Sequence, residues 1–282
     1  MNVTTIVQHE SAGEFLANCG SWLSRDEGLN HGLLSLAEAL HSNRHIHEPP
    51  FAYCHIASKS EILGCAIFAE PDGLVLSEMS SETSAALFPY LYDKIGLPSR
   101  IYGPVDPAIR LGGIFAKTSD LAHEIHSSWK VHRLDSLQVH NPRVQGRLML
   151  ATKDYQQLVS TWGREYDVEK PANVNIERFL LRKLEDRLLY FWMDEEPKSL
   201  ATLSGTTCKG PRISAVYTPR SLRGQGYAFA LVYELGKRHL ESGRPYITLN
   251  TQMGDSVEKM YDKIGYRVVG KKVSVVFRQT PK

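Results

Sequence analysis

The chain has few cysteines, no long apolar run and almost no net charge, and each shortage narrows what it can be. Its 282 residues hold four cysteines, Cys19, Cys54, Cys65 and Cys208, with no C-x-x-C pair. That usage offers no disulfide framework and reads as reduced, mostly buried thiols. No apolar stretch approaches the roughly 20 residues a membrane helix needs, and Met1 to Glu10 lacks the basic and apolar segments of a signal peptide. Lys and Arg number 33 against 31 Asp and Glu, and a formal charge of +2 gives no general footprint for nucleic acid or an anionic membrane. These absences predict a cytoplasmic protein with neither a membrane nor a nucleic-acid partner. His41, His45, His47 and His55 crowd one region, but their spacing does not fit an i, i+4 metal pair with a carboxylate, and Pro49 and Pro50 interrupt it. A solvated loop is expected there, and no metal.

What is present is an ordered alternation of elements, long enough for two domains of about 140 residues. In the second half the pattern predicts a strand at 147–151, helices at 154–166 and 175–185, and strands at 188–193, 199–206 and 212–218. A long helix at 224–242, stopped by Gly243, is followed by a strand at 246–251, a helix at 256–264 ended by Gly265, and strands at 266–269 and 273–278. The first half repeats this order at a shift of about 140 residues. It gives strands at 3–7, 51–56, 62–68, 74–78 and 101–102, helices at 33–40 and 84–95, and closing strands at 131–139. The expected domains are 1–141 and 142–282, divided at the Pro- and Gly-containing stretch from Asn141 to Gly146. The identical pentapeptides Tyr92 to Gly96 and Tyr261 to Gly265 are out of register with that repeat, and read as chance reuse of a helix end.

The segment Val216-Tyr217-Thr218-Pro219-Arg220-Ser221-Leu222-Arg223-Gly224-Gln225-Gly226-Tyr227-Ala228 stands where a strand ends and the long helix begins. Two glycines let the backbone turn tightly and bring successive N–H groups toward an anion, and the helix N-terminus adds its unpaired donors. A pyrophosphate is the guest this geometry suits. Phe229 stands where a dinucleotide-binding fingerprint needs Gly or Ala, and no Gly-Lys-Ser/Thr of a nucleotide-triphosphate loop is present.

This R-G-Q-G-Y-A turn after a V-Y-T-P strand resembles the pyrophosphate-binding motif of the GCN5-related N-acetyltransferases. The later Glu258 to Tyr266 is similar to that family's following helix, and the resemblance spans roughly 147–277. It implies an α/β (α+β) fold of two tandem domains of this family, each a mixed, mostly antiparallel, V-splayed sheet flanked by helices. It also implies an acetyl-CoA-dependent N-acetyltransferase, with pantetheine along Val216, Tyr217 and Thr218 and pyrophosphate on the amides of Arg223, Gly224, Gln225, Gly226, Tyr227 and Ala228. Two positions depart from the family pattern: Ser221 replaces Gln or Arg, and Gly254 stands where Asn precedes the later helix.

The family's route is direct attack of an amine on the thioester in a ternary complex, with Tyr261 matching the tyrosine that donates a proton to the departing thiolate. A core-facing ring is the competing reading of Tyr261. Glu165, Glu169, Asp194, Glu195 and Glu196 are candidate bases, each weighed against a solvated surface charge, and a water chain is a further route for the proton. Trp162, Tyr166 and Trp192 suit either an acceptor pocket or ordinary core packing. In the first half the matching turn reads Glu78-Met79-Ser80-Ser81-Glu82-Thr83-Ser84, without glycine and with two carboxylates, a degenerate copy that binds no CoA. The acceptor is a small-molecule or peptide amine. The reading that competes with an enzyme is a CoA-binding or protein-interaction module that keeps the fold without turnover.

Overall fold

The computed structural model describes residues 4–43, 47–138, 142–170, 175–205, 210–254 and 256–279. His45, Cys208 and Asn141 of the expected linker lie outside them. Two compact units are present: Met1–Val131 with Gln252–Gly254 and Val268–Lys282, and His132–Thr251 with Asp255–Arg267. In chain order the first half forms β1 (Thr4–His9), α1 (Ala12–Leu23), α2 (Glu27–His41), β2 (Glu48–Ser58), β3 (Glu61–Glu70), β4 (Gly73–Leu76), α3 (Ser81–Ala86), α4 (Phe88–Ile95), β5 (Arg100–Pro104), α5 (Val105–Thr118) and β6 (Leu121–Leu134). The second forms β7 (Arg147–Leu150), α6 (Gln156–Glu169), α7 (Ile176–Glu185), β8 (Leu189–Asp194), β9 (Glu196–Ser204), β10 (Arg212–Tyr217), α8 (Tyr227–Glu241), β11 (Ile247–Gln252), α9 (Glu258–Ile264) and β12 (Arg267–Gln279).

In the first unit the strand order is β1-β2-β3-β4-β5-β12-β6, antiparallel at β1–β2, β2–β3, β3–β4 and β5–β12, and parallel at β4–β5. β12 is therefore a strand of the second half by sequence and of the first unit by contact. Period-two alternation buries both faces of this sheet. Ala52, Cys54, Ile56, Phe68, Leu74 and Leu76 meet Leu87, Leu91, Leu111 and Phe115, while Tyr53, Cys65, Ile67 and Val75 meet Phe15, Cys19, Leu33 and Ala37 of α1 and α2.

The second unit orders its strands β11-β10-β9-β8-β7, antiparallel except for the parallel pair β10–β11. One face packs Leu148, Trp192, Ala201 and Ile213 against Leu231, Leu235, Tyr261 and Ile264 of α8 and α9. The other packs Leu189, Phe191, Leu200 and Tyr217 against Val159, Trp162, Leu180 and Leu184 of α6 and α7. α7 begins where it does because Asn175 accepts from the Arg178 N–H at 2.7 Å, and the Asp167 carboxylate accepts from the Ile176 N–H at 3.0 Å.

Several expectations need correction. The helix expected at 84–95 is two helices, broken at Leu87, because Pro89 sits in the first turn of α4, where its missing N–H costs no hydrogen bond. The strands expected at 266–269 and 273–278 are one strand, since Gly270 is not a turn: the Leu29 side chain lies 2.4 Å from where its Cβ would be. The closing strand expected at 131–139 is β6, ending at Leu134. α1 and α5 went unrecognised. Gly112 and Gly113 in α5 resemble punctuation, yet Gly112 is there because Val275 fills the place of its side chain. His55 is no loop residue: it sits in β2, 9% exposed.

Gly163 of α6 would place a Cβ 2.6 Å from the Glu177 Cα, whereas Gly20 of α1 has nothing within 4 Å. Alanine at either site gains about 0.5–1 kcal/mol of helix propensity, but overpacking at α6–α7 costs about 1–3 kcal/mol. Urea melts should therefore show Gly20→Ala stabilised and Gly163→Ala destabilised.

Candidate functional site

β10 and β9 run in register through Ser214–Thr202, and the next pair is Tyr217–Leu200, three residues against two. The extra residue is a bulge, and Ala215 takes a φ of +47° to make it. On its other side β10 pairs with β11 only at Arg212–Thr248 and Ile213–Leu249, although both strands continue. The strands splay from that point. The backbone from Ser214 to Tyr217 thus has no strand pairing with β11, and such an edge can take an extended polar chain by strand-like hydrogen bonding.

β10 leads through a short 3-10 turn at Arg220–Leu222 into the glycine turn. Gly224 and Gly226 have φ of +77° and +92°, a region that L side chains rarely adopt. A Cβ on Gly226 would also stand 2.8 Å from Val144. Gly226 is the N-cap of α8 and no side chain caps that end, so the first N–H groups of the helix, among them Tyr227 and Ala228, face outward as donors. Arg223, Gly224 and Gln225 are exposed. Uncapped donors, the positive end of a 15-residue helix and an exposed backbone together suit a phosphate group.

The side chains around this turn have other duties. The Tyr217 ring lies in the α6–α7 core, 4% exposed, stacked on Tyr166 at 5.4 Å, and its hydroxyl donates to Glu165 at 2.8 Å. Burial, reinforced by that carboxylate, raises the phenol well above its ordinary value. Only the Tyr217 backbone is left for a ligand. Thr218 bonds Ser199 at 2.8 Å, and Ser199 donates to the Tyr217 carbonyl at 2.9 Å. Arg223 folds back, its Nε donating to the Thr218 carbonyl at 2.8 Å and its Nη2 to Glu169 at 2.6 Å. Arg220 approaches the same carboxylate at 3.3 Å. The Arg223 hydrogen bond, with both positive charges, holds Glu169 below the usual carboxylate range.

Among the candidate bases, Glu165 is exposed but accepts from Tyr217, and Glu169 is partly buried under Arg223, so both carboxylates tie α6 to the strand and the turn. Asp194 accepts from the Tyr227 hydroxyl at 3.3 Å, and Asp194 and Glu195 line a pocket with Gly146, Arg147 and Met193. Trp162, Tyr166 and Trp192 do not come together. Trp162 and Tyr166 pack on the α6–α7 face, while Trp192 packs on the α8–α9 face and donates to the Gln145 carbonyl at 2.9 Å. Tyr261 is 6% exposed on α9, edge-on to Tyr266 at 5.9 Å and 6.1 Å from the His132 ring. Ser199 and Val144 escape sequence reading, because their partners lie 18 or more residues away and neither belongs to a motif.

The matching turn of the first unit is closed. The Ser80 hydroxyl caps α3 by accepting from the Thr83 N–H at 3.1 Å, and α3 is six residues long.

No family model matches the sequence, and no curated protein matches it. Solved structures do. A GNAT-family acetyltransferase from Colwellia psychrerythraea superposes with a TM-score of 0.54 at 10% identity, covering 97% of this chain and 99% of its own. A tandem GNAT protein from the clavulanic acid biosynthesis pathway gives 0.50 at 12% identity over 99% and 100%. A Drosophila protein gives 0.65 at 9% identity over the whole of both chains. At such identities the likeness is one of fold: the chain has the tandem GNAT fold, with a mixed, mostly antiparallel sheet and flanking helices. Among the described residues no helix is long and apolar enough to cross a membrane.

Because Glu169 is held below its ordinary 4.5, its contribution to stability is full above that value and is lost as pH falls through the depressed one. Glu169→Gln should cost roughly 1 kcal/mol at neutral pH. In paired denaturant melts that difference should shrink to nothing in acid.

Proposed function

We propose that the chain is an acetyl-CoA-dependent N-acetyltransferase whose second half, 142–282, holds the cosubstrate, while the first, 1–141, has no CoA site. The observation that carries this reading is the departure of β10 from β11 after Ile213, followed by the glycine turn and the uncapped start of α8. The amides of Arg223, Gly224, Gln225, Gly226, Tyr227 and Ala228 would receive the pyrophosphate. The splayed backbone of Val216, Tyr217 and Thr218 would pair with the pantetheine amides. The acceptor would be a small-molecule or peptide amine.

In this reading a neutral amine nitrogen attacks the thioester carbonyl carbon, and a backbone N–H near Val216 steadies the negative charge that builds on oxygen. The C–S bond then breaks, Tyr261 gives a proton to the sulfur, and the amine loses one of its own. An alkylamine of pKa about 10 arrives mostly protonated, so a second proton must leave first. Glu169, weakened as a base by two arginines, is poorly suited to take it. Asp194 and Glu195, beside the pocket at Gly146 and Arg147, are better placed.

A second reading draws on the burial of Tyr261. A ring 6% exposed and packed on Tyr266 suits a core residue as well as an acid, and a CoA-binding module without turnover would keep it for packing. Tyr261→Phe separates the two. An acid that acts only as charge develops on sulfur affects turnover and spares binding. Steady-state kinetics should show turnover lowered at the smaller end of the roughly 10²- to 10⁴-fold range, with acetyl-CoA affinity held. Turnover within twofold of wild type would assign Tyr261 to the core.

The CoA site itself is tested at Gly224, where no atom lies within 4 Å of a would-be Cβ. Calorimetry with CoA should find one site per chain. Gly224→Glu, which sets a carboxylate among the phosphate donors, should bind CoA at least tenfold more weakly, about 1.4 kcal/mol, than Gly224→Ala, which carries the same positive-φ strain without the charge, with the circular dichroism of both unchanged. Two sites per chain, or unaltered affinity in the folded variant, would remove the assignment.

A further inference from the structure

On the face of the first unit covered by α1, the acetyltransferase reading leaves a group of buried side chains without a task. His9 ends β1, His55 lies in β2 diagonally across from it, and Cys19 comes down from α1. They are 3%, 9% and 0% exposed. His9 Nε2 and His55 Nδ1 are 2.9 Å apart, and the Cys19 sulfur is 3.7 Å from the first and 3.5 Å from the second. Three ligating atoms thus converge on one point.

The geometry points to a zinc-class metal site: we propose that His9 Nε2, His55 Nδ1 and Cys19 Sγ bind one Zn2+ ion. Zinc held at about 2.05 Å from nitrogen and 2.3 Å from sulfur, near the tetrahedral angle, sets N and S about 3.6 Å apart and N and N about 3.4 Å apart. The two sulfur distances already match. The His9–His55 separation needs to open by about 0.5 Å, a small tilt of two rings. Imidazole nitrogens with a thiolate favour zinc over the oxygen-seeking Mg2+ and Ca2+.

Glu14 supplies an independent observation. Its Oε1 lies 3.6 Å from His9 Nδ1, a buried nitrogen with no hydrogen-bond partner. Glu14 is held there by the start of α1: its N–H donates to the Ser11 hydroxyl at 3.2 Å, and its Oε2 accepts from the Glu10 N–H at 2.8 Å. The negative charge of a carboxylate at that distance favours the tautomer with its proton on Nδ1, which leaves the Nε2 lone pair facing the cluster. Metal-bound histidines are oriented by carboxylates in this way. The charges also come close to balance, since Zn2+ meets one thiolate and one nearby carboxylate. A pocket bounded by Ala12, His41, Phe51 and Tyr53 reaches His9. Cys65 is His55's cross-strand partner and lies against Cys19, and Cys54 is buried nearby.

Binding replaces the Cys19 S–H bond by an S–Zn bond and releases one proton. The test uses the full-length protein, stripped with a chelator and titrated with Zn2+ and with Co2+ as a spectroscopic probe. Expected are one equivalent per chain, one proton released, and a thiolate-to-cobalt charge-transfer band. Cys19→Ser should abolish the band, and Glu14→Gln should weaken Zn2+ binding about 10- to 100-fold. Circular dichroism and CoA calorimetry on the same variants confirm that they are folded. No stoichiometric binding by the wild type, or a band that persists in folded Cys19→Ser, overturns the site and leaves the three groups as a hydrogen-bonded knot.

Discussion

The second unit depends on one backbone feature, the bulge that Ala215 makes in β10. A left-handed conformation costs a residue with a side chain about 1–2 kcal/mol, and three consequences follow from it here. The residue count slips, so that Val216 packs toward α8 while Ala215 and Tyr217 pack toward α6. β10 parts from β11 just before it. The strand then enters the glycine turn with its edge already turned away from its neighbour. Burial of the Tyr217 ring among Trp162, Tyr166 and Phe191 contributes roughly 1.5–3 kcal/mol, enough to offset the local strain.

The turn is braced from behind, and this explains how so much exposed backbone keeps one shape. Arg223 holds the Thr218 carbonyl and Glu169 together, Arg220 joins the same carboxylate, and Glu165 anchors the Tyr217 hydroxyl. Every one of these groups comes from α6 or from the chain on the far side of the glycines. The charged side chains near the expected phosphate site are thereby occupied in shaping the turn, and attraction of an anion is left to amides. That division makes the role of the glycines conformational, since both hold a positive φ that a side chain would strain.

Much of this architecture was legible in the sequence, because strand–turn–helix order, the two glycines and helix stops such as Gly243 and Gly265 are local signals. The bulge was not. Ile213, Ala215 and Tyr217 alternate as if they share one face of a strand, and nothing local announces that Ile213 faces the other core. The braces were invisible for a related reason: Glu165 and Tyr217 are 52 residues apart and Glu169 and Arg223 54 apart, so helix periodicity shows neither carboxylate's partner. Gly270 and Gly112 misled in the opposite direction. Each is a glycine because Leu29 or Val275 occupies the space of its side chain, which sequence alone cannot separate from a turn. The histidines show the same limit, for His55 joined a loop in sequence through its neighbours His41 and His47, and in space its partners are His9 and Cys19.

The two halves of the chain repeat one order of elements but finish the decisive helix differently. In the second, α8 begins after Gly226 with no side chain at its N-cap, and its first N–H groups need an outside acceptor. In the first, Ser80 fills that role for α3, and Glu82 in the first turn brings its own negative charge. A capping side chain contributes about 1 kcal/mol to a helix, so the start of α8 lacks a stabilisation that α3 has. In the proposed reading, binding at the glycine turn would partly recover that missing cap, and Ser80 already supplies one to α3 in the first half, which would gain correspondingly less from a phosphate.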